Sequence, residues 1–135
     1  MKLEIPLKEI QDFIRDHFQS DVGLMYIEKD KIQAKYYVTI DLIIKEVRIN
    51  EVYLSYEVSG LAGLISNLAS GILKKKLEKI PIEWYPKTRE IHIDLKKIHE
   101  LNEILKFIYI SDIQFLNDNI LLVLHPRKND LEVEP

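Results

Sequence analysis

Residues 59–73 read Ser-Gly-Leu-Ala-Gly-Leu-Ile-Ser-Asn-Leu-Ala-Ser-Gly-Ile-Leu, and this stretch decides the predicted fold. It carries no charge, although 30% of the residues in the chain are charged, and three lysines follow it directly. Apolar residues recur along it at helical spacing, and small uncharged residues fill the other side. The pattern predicts a helix over residues 60–80 that packs against another surface. That surface could be the sheet of the same domain, a hydrophobic ligand, a membrane or a second copy of the chain.

The apolar stripe of this predicted central helix suits one wall of a binding groove. A half-buried strand is predicted over residues 32–44, where every even-numbered position is apolar. We expect a hydrophobic ligand or lipid to lie between the helix and this strand, although simple core packing explains the same pattern. The residues expected to line the groove are Leu61, Leu64, Ile65, Leu68, Ile72, Tyr36, Val38, Ile40 and Leu42.

Two further features of the central helix indicate partners. Its small residues, such as Gly63 and Ser70, would allow the backbone of a second copy to approach, which predicts a homodimer as the alternative function. Lys74, Lys75 and Lys76 would suit anionic lipid headgroups at a membrane surface. The same lysines would also offset the dipole at the end of the helix, which is a purely structural role.

The remaining elements predict a single α+β domain over residues 1–125 and a polar, flexible tail over 126–135. A surface helix is expected at 7–18 and a short helix at 96–105. A phase slip in the alternation predicts a bulge near Lys45 and Glu46. The architecture expected is a curved antiparallel sheet with the central helix packed across its concave face and two shorter helices. Strands are predicted at 22–28, 32–44, 52–58, 82–85, 90–95, 108–115 and 120–124.

Composition excludes several classes of function. A chain of 135 residues is the usual size of one domain, and its net charge of −3 argues against a nucleic-acid partner. The chain has no cysteine, so a disulfide framework or a thiolate metal site is excluded. The longest uncharged stretch has 15 residues, which is short of the roughly 20 needed for a transmembrane helix. Because residues 1–6 show no leader pattern, a cytoplasmic location is expected.

No motif indicates catalysis. The four histidines are scattered and lack a second ligand at helical spacing, so no metal or cofactor and no enzymatic activity is expected. Tyrosines at 36, 37, 53 and 56 are expected to form cross-strand pairs. Trp84 is expected either to cap the core or to mark an apolar opening.

The order of elements from residue 5 to 124 resembles that of the tubular lipid-binding (TULIP-like) domains and their small bacterial relatives. The resemblance lies in a first helix over 7–18, long strands over 32–44 and 52–58, an apolar helix over 60–80, and a closing hairpin over 110–124. It implies a hydrophobic groove between the helix and a concave sheet that could hold acyl chains.

Overall fold

A computed structural model describes residues 1–36, 38–58 and 82–127, and most of these residues form β-strands. The helices among them are α1 (Leu7–Phe18) and the single-turn α2 (His99–Asn102), and α2 is flanked by 3₁₀ turns at Leu95–Lys97 and Ile104–Lys106. The strands are β1 (Lys2–Pro6), β2 (Gly23–Glu28), β3 (Lys31–Tyr36), β4 (Val38–Arg48), β5 (Glu51–Val58), β6 (Ile82–Tyr85), β7 (Glu90–Asp94), β8 (Ile108–Leu116) and β9 (Asn119–Pro126).

The strands pair into two antiparallel sheets. A six-stranded sheet has the order β2-β3-β4-β5-β7-β6, and a three-stranded sheet has the order β1-β9-β8. Each sheet is built largely from hairpins between neighbouring strands of the sequence, as is usual for antiparallel sheets. Two pairings join strands that are not neighbours in sequence: β5 pairs with β7, and β1 pairs with β9 from the distant end of the described chain.

One face of the six-stranded sheet is apolar along its whole width, and we call it the inner face. The pairing puts residues with the same orientation opposite each other, for example Ile44 opposite Leu54 and Leu54 opposite Ile91. Ile32, Ile40 and Leu54 on this face are all buried, and together with Ile110, Ile113 and Phe115 of β8 they belong to one core. Burial of this apolar area is the main stabilising term of such a fold.

Two turns of the six-stranded sheet are bonded to the edge of β8. Asp30 lies in the β2–β3 turn, and its N–H donates to Phe115 O (2.8 Å) while its Oδ1 accepts from Phe115 N (3.1 Å). Asn50 in the β4–β5 turn repeats the pattern with Ile110, at 3.0 Å and 2.8 Å. Both turn residues have positive φ, 62° and 58°, which Asp and Asn tolerate better than most side chains. We call these the two Asx contacts.

The helix α1 covers the outer edge of β2. Leu7 at its start is buried in the core, and the Oε1 atom of Gln11 accepts a hydrogen bond from Leu24 N at 2.8 Å. That bond satisfies a backbone donor that an edge strand would otherwise present to solvent. The helix predicted at 7–18 is therefore confirmed, and it protects one end of the sheet.

The predicted α+β architecture with a long central helix is wrong. The described residues are mostly strand and form two sheets, and the longest helix among them, α1, has 12 residues. The second predicted helix, over 96–105, is a four-residue helix between two 3₁₀ turns. The prediction gave one sheet because periodicity does not show which strands pair. The pairing of β1 with β9 and β8 makes a second sheet. Residues 60–80, on which the central helix was predicted, lie outside the described residues.

The single strand predicted over residues 32–44 is also wrong, because this segment is a hairpin. β3 and β4 pair with each other, and the chain reverses between Tyr36 and Val38. Paired residues have numbers that sum to 74, as in Ala34 opposite Ile40, so both partners are even-numbered or both are odd-numbered. The alternation of apolar and polar residues therefore runs through the reversal without a change of phase.

Other predicted elements are confirmed. The register of β4 against β5 shifts between Ile44 and Glu46, where the phase slip predicted a bulge. The hairpins β6–β7 and β8–β9 form where they were expected. The strand β1 was not predicted, because residues 2–6 are too few to show a pattern.

Candidate functional site

The structure describes only part of the predicted groove. Ile40 is buried and Leu42 is half-buried on the inner face of the six-stranded sheet, and both belong to the core region. Tyr36 and Val38 are backbone partners at the end of the β3–β4 hairpin. The remaining predicted groove residues lie outside the described residues, as do the proposed dimer face and the proposed membrane contact: Leu61, Leu64, Ile65, Leu68, Ile72, Gly63, Ser70, Lys74, Lys75 and Lys76.

A different part of the inner face carries the clearest sign of a binding site. Trp84 on β6 lies opposite Ile91, and its ring stacks on Tyr56 of β5 with 4.6 Å between centroids and an interplanar angle of 21°. The indole Nε1 is buried, yet it meets no hydrogen-bond acceptor among the described residues. A buried donor left without a partner costs about 1–3 kcal/mol, so such groups are rare unless something else binds them.

We call this pair the Tyr56–Trp84 site. Among the described residues, its surroundings are apolar, and the positive charge of Arg89 acts on it. Burial raises the pKa of Tyr56, and the positive charge of Arg89 partly opposes that rise. Arg89 lies in the β6–β7 turn, and its carbonyl accepts from Tyr56 N at 2.9 Å. Val58 and Ile82, the described residues on either side of the range 59–81, also pack against the core. The site thus combines an aromatic wall, an unused N–H donor and a nearby guanidinium.

The opposite, outer face of the same sheet carries an aromatic row. The ring of His92 on β7 lies 4.4 Å from that of Tyr53 and 4.6 Å from that of Tyr85. Arg48 lies over Tyr53, with its guanidinium carbon 5.0 Å from the ring centroid. This geometry separates Tyr53 from Tyr56, which occupies the inner face. Tyr53 and Tyr56 lie on different faces because 53 and 56 differ in parity. Their partners across the strands include His92 and Leu42, so the predicted pairing of tyrosines is wrong for these two residues.

Carboxylates bond to both tyrosines of this row. The Tyr53 hydroxyl donates to Glu51 Oε2 at 3.1 Å, and the Tyr85 hydroxyl donates to Glu83 Oε2. The bond from Tyr85 lowers the pKa of Glu83 and raises the pKa of Tyr85 itself. Partial burial is the larger cause of the raised pKa of Tyr53, and its bond to Glu51 adds to it.

A serine and a histidine meet on the three-stranded sheet, which no sequence motif indicated. Ser111 Oγ lies 2.7 Å from His125 Nε2, and the ring of Tyr109 stacks on His125. A hydrolytic triad also needs an acid that orients the imidazole, and no described carboxylate contacts the other ring nitrogen. In residues 1–36, 38–58 and 82–127 no three acidic or histidine side chains converge into a set that could hold a metal ion. The described residues therefore supply the Ser111–His125 hydrogen bond without an orienting acid.

Sequence reasoning found Trp84 but missed its partner and the aromatic row on the other face. The pairs Tyr56–Trp84 and Tyr53–His92 join residues that are far apart in the chain, and only the β5–β7–β6 register brings them together. Within the described ranges no helix has both the length and the apolar character that crossing a bilayer demands. Comparisons with protein-family models, curated proteins and solved structures found no match for this chain. The resemblance to tubular lipid-binding domains stays a prediction.

Proposed function

We propose that this domain is a non-enzymatic binding module for a hydrophobic ligand or lipid, and that the ligand binds at the Tyr56–Trp84 site. The observation that carries the proposal is the buried indole N–H of Trp84, for which the described residues supply no acceptor. A ligand with an apolar body and one accepting group would satisfy both the aromatic wall and this donor. Binding sites commonly combine a mainly apolar lining with a few polar groups that fix orientation.

The polar group of the ligand is best matched by a carboxylate. It accepts hydrogen bonds strongly, and its negative charge would be stabilised by Arg89, whose positive charge already acts on Tyr56. The apolar part of the ligand would then contact the partly buried Val58 and Ile82 at this end of the inner face. Fatty acids combine a carboxylate with a long apolar chain. The corresponding fatty alcohols keep the chain and a hydrogen-bonding oxygen but carry no charge.

The only tryptophan in the chain, Trp84, makes the test specific. Delipidated protein is titrated with 9,10-dibromostearate, whose bromine atoms quench tryptophan on contact, and unbrominated stearate serves as the reference ligand. We expect quenching that stearate competes away, together with a downfield shift of the single indole N–H resonance when the acceptor binds. Native mass spectrometry of the protein as purified would show whether it already carries a ligand.

Matched variants separate this site from non-specific binding. Arg89→Gln should weaken stearate binding about two- to fivefold, because an ion pair between the ligand carboxylate and the exposed Arg89 contributes little free energy. Binding of the uncharged alcohol should not change. Arg48→Gln on the outer face is the control and should change neither. The proposal fails if dibromostearate does not quench Trp84. It also fails if the indole N–H is already hydrogen-bonded and protected from exchange in the delipidated protein.

A further inference from the structure

The outer face of the six-stranded sheet is strongly acidic around its aromatic row. The pairing of β4, β5, β7 and β6 places seven carboxylates on this face. Among the described residues, the lysines and arginines that contact them are Lys31, Arg48 and Lys97, and His92 lies 3.9 Å from Glu90. The acids therefore outnumber these lysines and arginines by more than two to one. The seven are Asp41, Glu46, Glu51, Glu57, Glu83, Glu90 and Asp94.

One ring of this row, that of Tyr85, is exposed to solvent. Tyr85 is 39% exposed, and it lies directly opposite Glu90 in the strand register. Glu83, which accepts from the Tyr85 hydroxyl, is also exposed. Paired side chains on one face of a sheet are close enough to contact the same group. Tyr85 therefore has one carboxylate bonded to its hydroxyl, Glu83, and a second one opposite it on β7, Glu90.

The fold itself shows which group suits such a ring. Arg48 already lies over Tyr53, at 5.0 Å from the centroid, beside a carboxylate that it contacts, Glu46 (3.1 Å). A planar guanidinium can stack on an aromatic face and bond to a carboxylate at once, which a lysine ammonium does less well. Tyr85 with Glu83 and Glu90 repeats the elements of that arrangement, and no described arginine side chain forms an ion pair or a ring contact with these three residues.

We infer that this face docks an arginine-bearing segment of another protein, with one guanidinium stacked on Tyr85 between Glu83 and Glu90. Charge complementarity would speed association and orient the segment, and the stacked guanidinium would give the preference for arginine. Tyrosine is also enriched at protein interfaces, where it buries a large area for few rotatable bonds. This surface is on the other side of the sheet from the Tyr56–Trp84 site, so the two proposals are independent.

The test compares two fluorescein-labelled peptides of equal charge by fluorescence anisotropy, one with four arginines spaced by Gly-Ser and one with four lysines. The wild-type protein should bind the arginine peptide about two- to fivefold more tightly, which is the contribution of one exposed cation–π contact. Binding of both peptides should weaken in 300 mM salt. Equal affinity for the two peptides would overturn the inference, and so would displacement of the arginine peptide by an equal concentration of spermine.

Variants decide whether Tyr85 supplies the preference. Tyr85→Ser should remove the arginine preference, whereas Tyr85→Phe, which keeps a ring, should retain it. Glu90→Gln should weaken both peptides to a similar extent, because it removes charge but leaves the ring. Glu4→Gln, an exposed carboxylate on β1, is the matched control and should have no effect. If Tyr85→Ser keeps the arginine preference while its circular dichroism matches wild type, the assignment of this ring is wrong.

Discussion

Asn50 exchanges two backbone-directed hydrogen bonds with Ile110, which lies 60 residues further along the chain. Its N–H donates to Ile110 O and its Oδ1 accepts from Ile110 N, while its own carbonyl accepts from Leu95 N. Asn50 is 1% exposed, so its N–H and its Oδ1 would be unsatisfied if the contact with Ile110 were lost. A single turn residue thereby joins the six-stranded sheet to the three-stranded one.

Replacing Asn50 by alanine should destabilise the fold by about 2–4 kcal/mol. The substitution leaves Ile110 N without an acceptor, which costs about 1–3 kcal/mol, and it places alanine at a φ of 58°, which costs about 1 kcal/mol more. Urea unfolding at pH 7 measures the change. Asn117→Ala is the control, because Asn117 also has positive φ (52°) but is exposed, so only the smaller backbone cost is expected. Equal effects of the two substitutions would contradict the role of the Asn50 side chain.

The Asx contact of Asp30 should depend on the acceptor oxygen and not on the charge. Asp30→Asn keeps an Oδ1 atom that can accept from Phe115 N, so a change within about 0.5 kcal/mol is expected. Asp30→Ala removes the acceptor and should cost about 1–2 kcal/mol. The amide of Phe115 should also exchange faster with solvent in the alanine variant, as hydrogen exchange by NMR would show. A large loss of stability in Asp30→Asn would instead indicate that the charge matters.

Alkaline pH should destabilise the protein in part through Tyr56. Burial raises the pKa of this hydroxyl in the folded state. Unfolded tyrosine ionises near pH 10, so the folded state holds the proton more tightly. The stabilising contribution is therefore fully present below about pH 10 and is lost as the pH rises towards the folded-state pKa. In urea unfolding from pH 8 to 11, Tyr56→Phe should lose less stability than wild type over this range. Parallel curves for the two proteins would refute this assignment.

The hydrogen bond from Tyr85 to Glu83 should make the free energy of unfolding fall at acidic pH. The hydroxyl of Tyr85 is the main cause of the lowered pKa of Glu83, and the charge of Lys97 contributes less. A lowered carboxyl pKa stabilises the folded state above the unfolded value of about 4.3, and this effect is lost as the pH falls through the folded-state value. Carbon-13 NMR titration of the Glu83 carboxyl should show its pKa move up towards the ordinary value in Tyr85→Phe. Lys97→Gln should move it less, and the reverse order would assign the effect to the lysine.

The sequence predicted local structure best where the alternation of apolar and polar residues changes phase at a bulge. The phase slip near Lys45 and Glu46 predicted the bulge that the β4–β5 register contains. The reversal between Tyr36 and Val38 does not change the phase of the alternation, because paired residues share parity. The segment also lacks the Gly, Asn or Pro residues typical of tight turns. Periodicity reports which face a residue occupies, and it cannot report the direction in which the chain runs.

The candidate sites were less predictable than the elements. The sequence predicted that Trp84 either caps the core or marks an apolar opening. Its stacking on Tyr56 could not be predicted, because it depends on how β5 and β6 each pair with β7. The aromatic row on the outer face escaped prediction for the same reason, since His92 was considered only as a metal ligand. The predicted groove residues Ile40 and Leu42 do lie on the inner face, as their alternation required.

By itself, the sequence determined which positions are apolar on each strand, where most hairpins turn, and that Leu7–Phe18 forms a one-faced helix, because these features depend on neighbours within a few residues. Only the tertiary structure decided that the strands divide into two sheets, that Asp30 and Asn50 bond them together, and that Trp84 meets Tyr56. Those outcomes depend on backbone pairing between distant segments, whose register is fixed by the burial of whole faces at once.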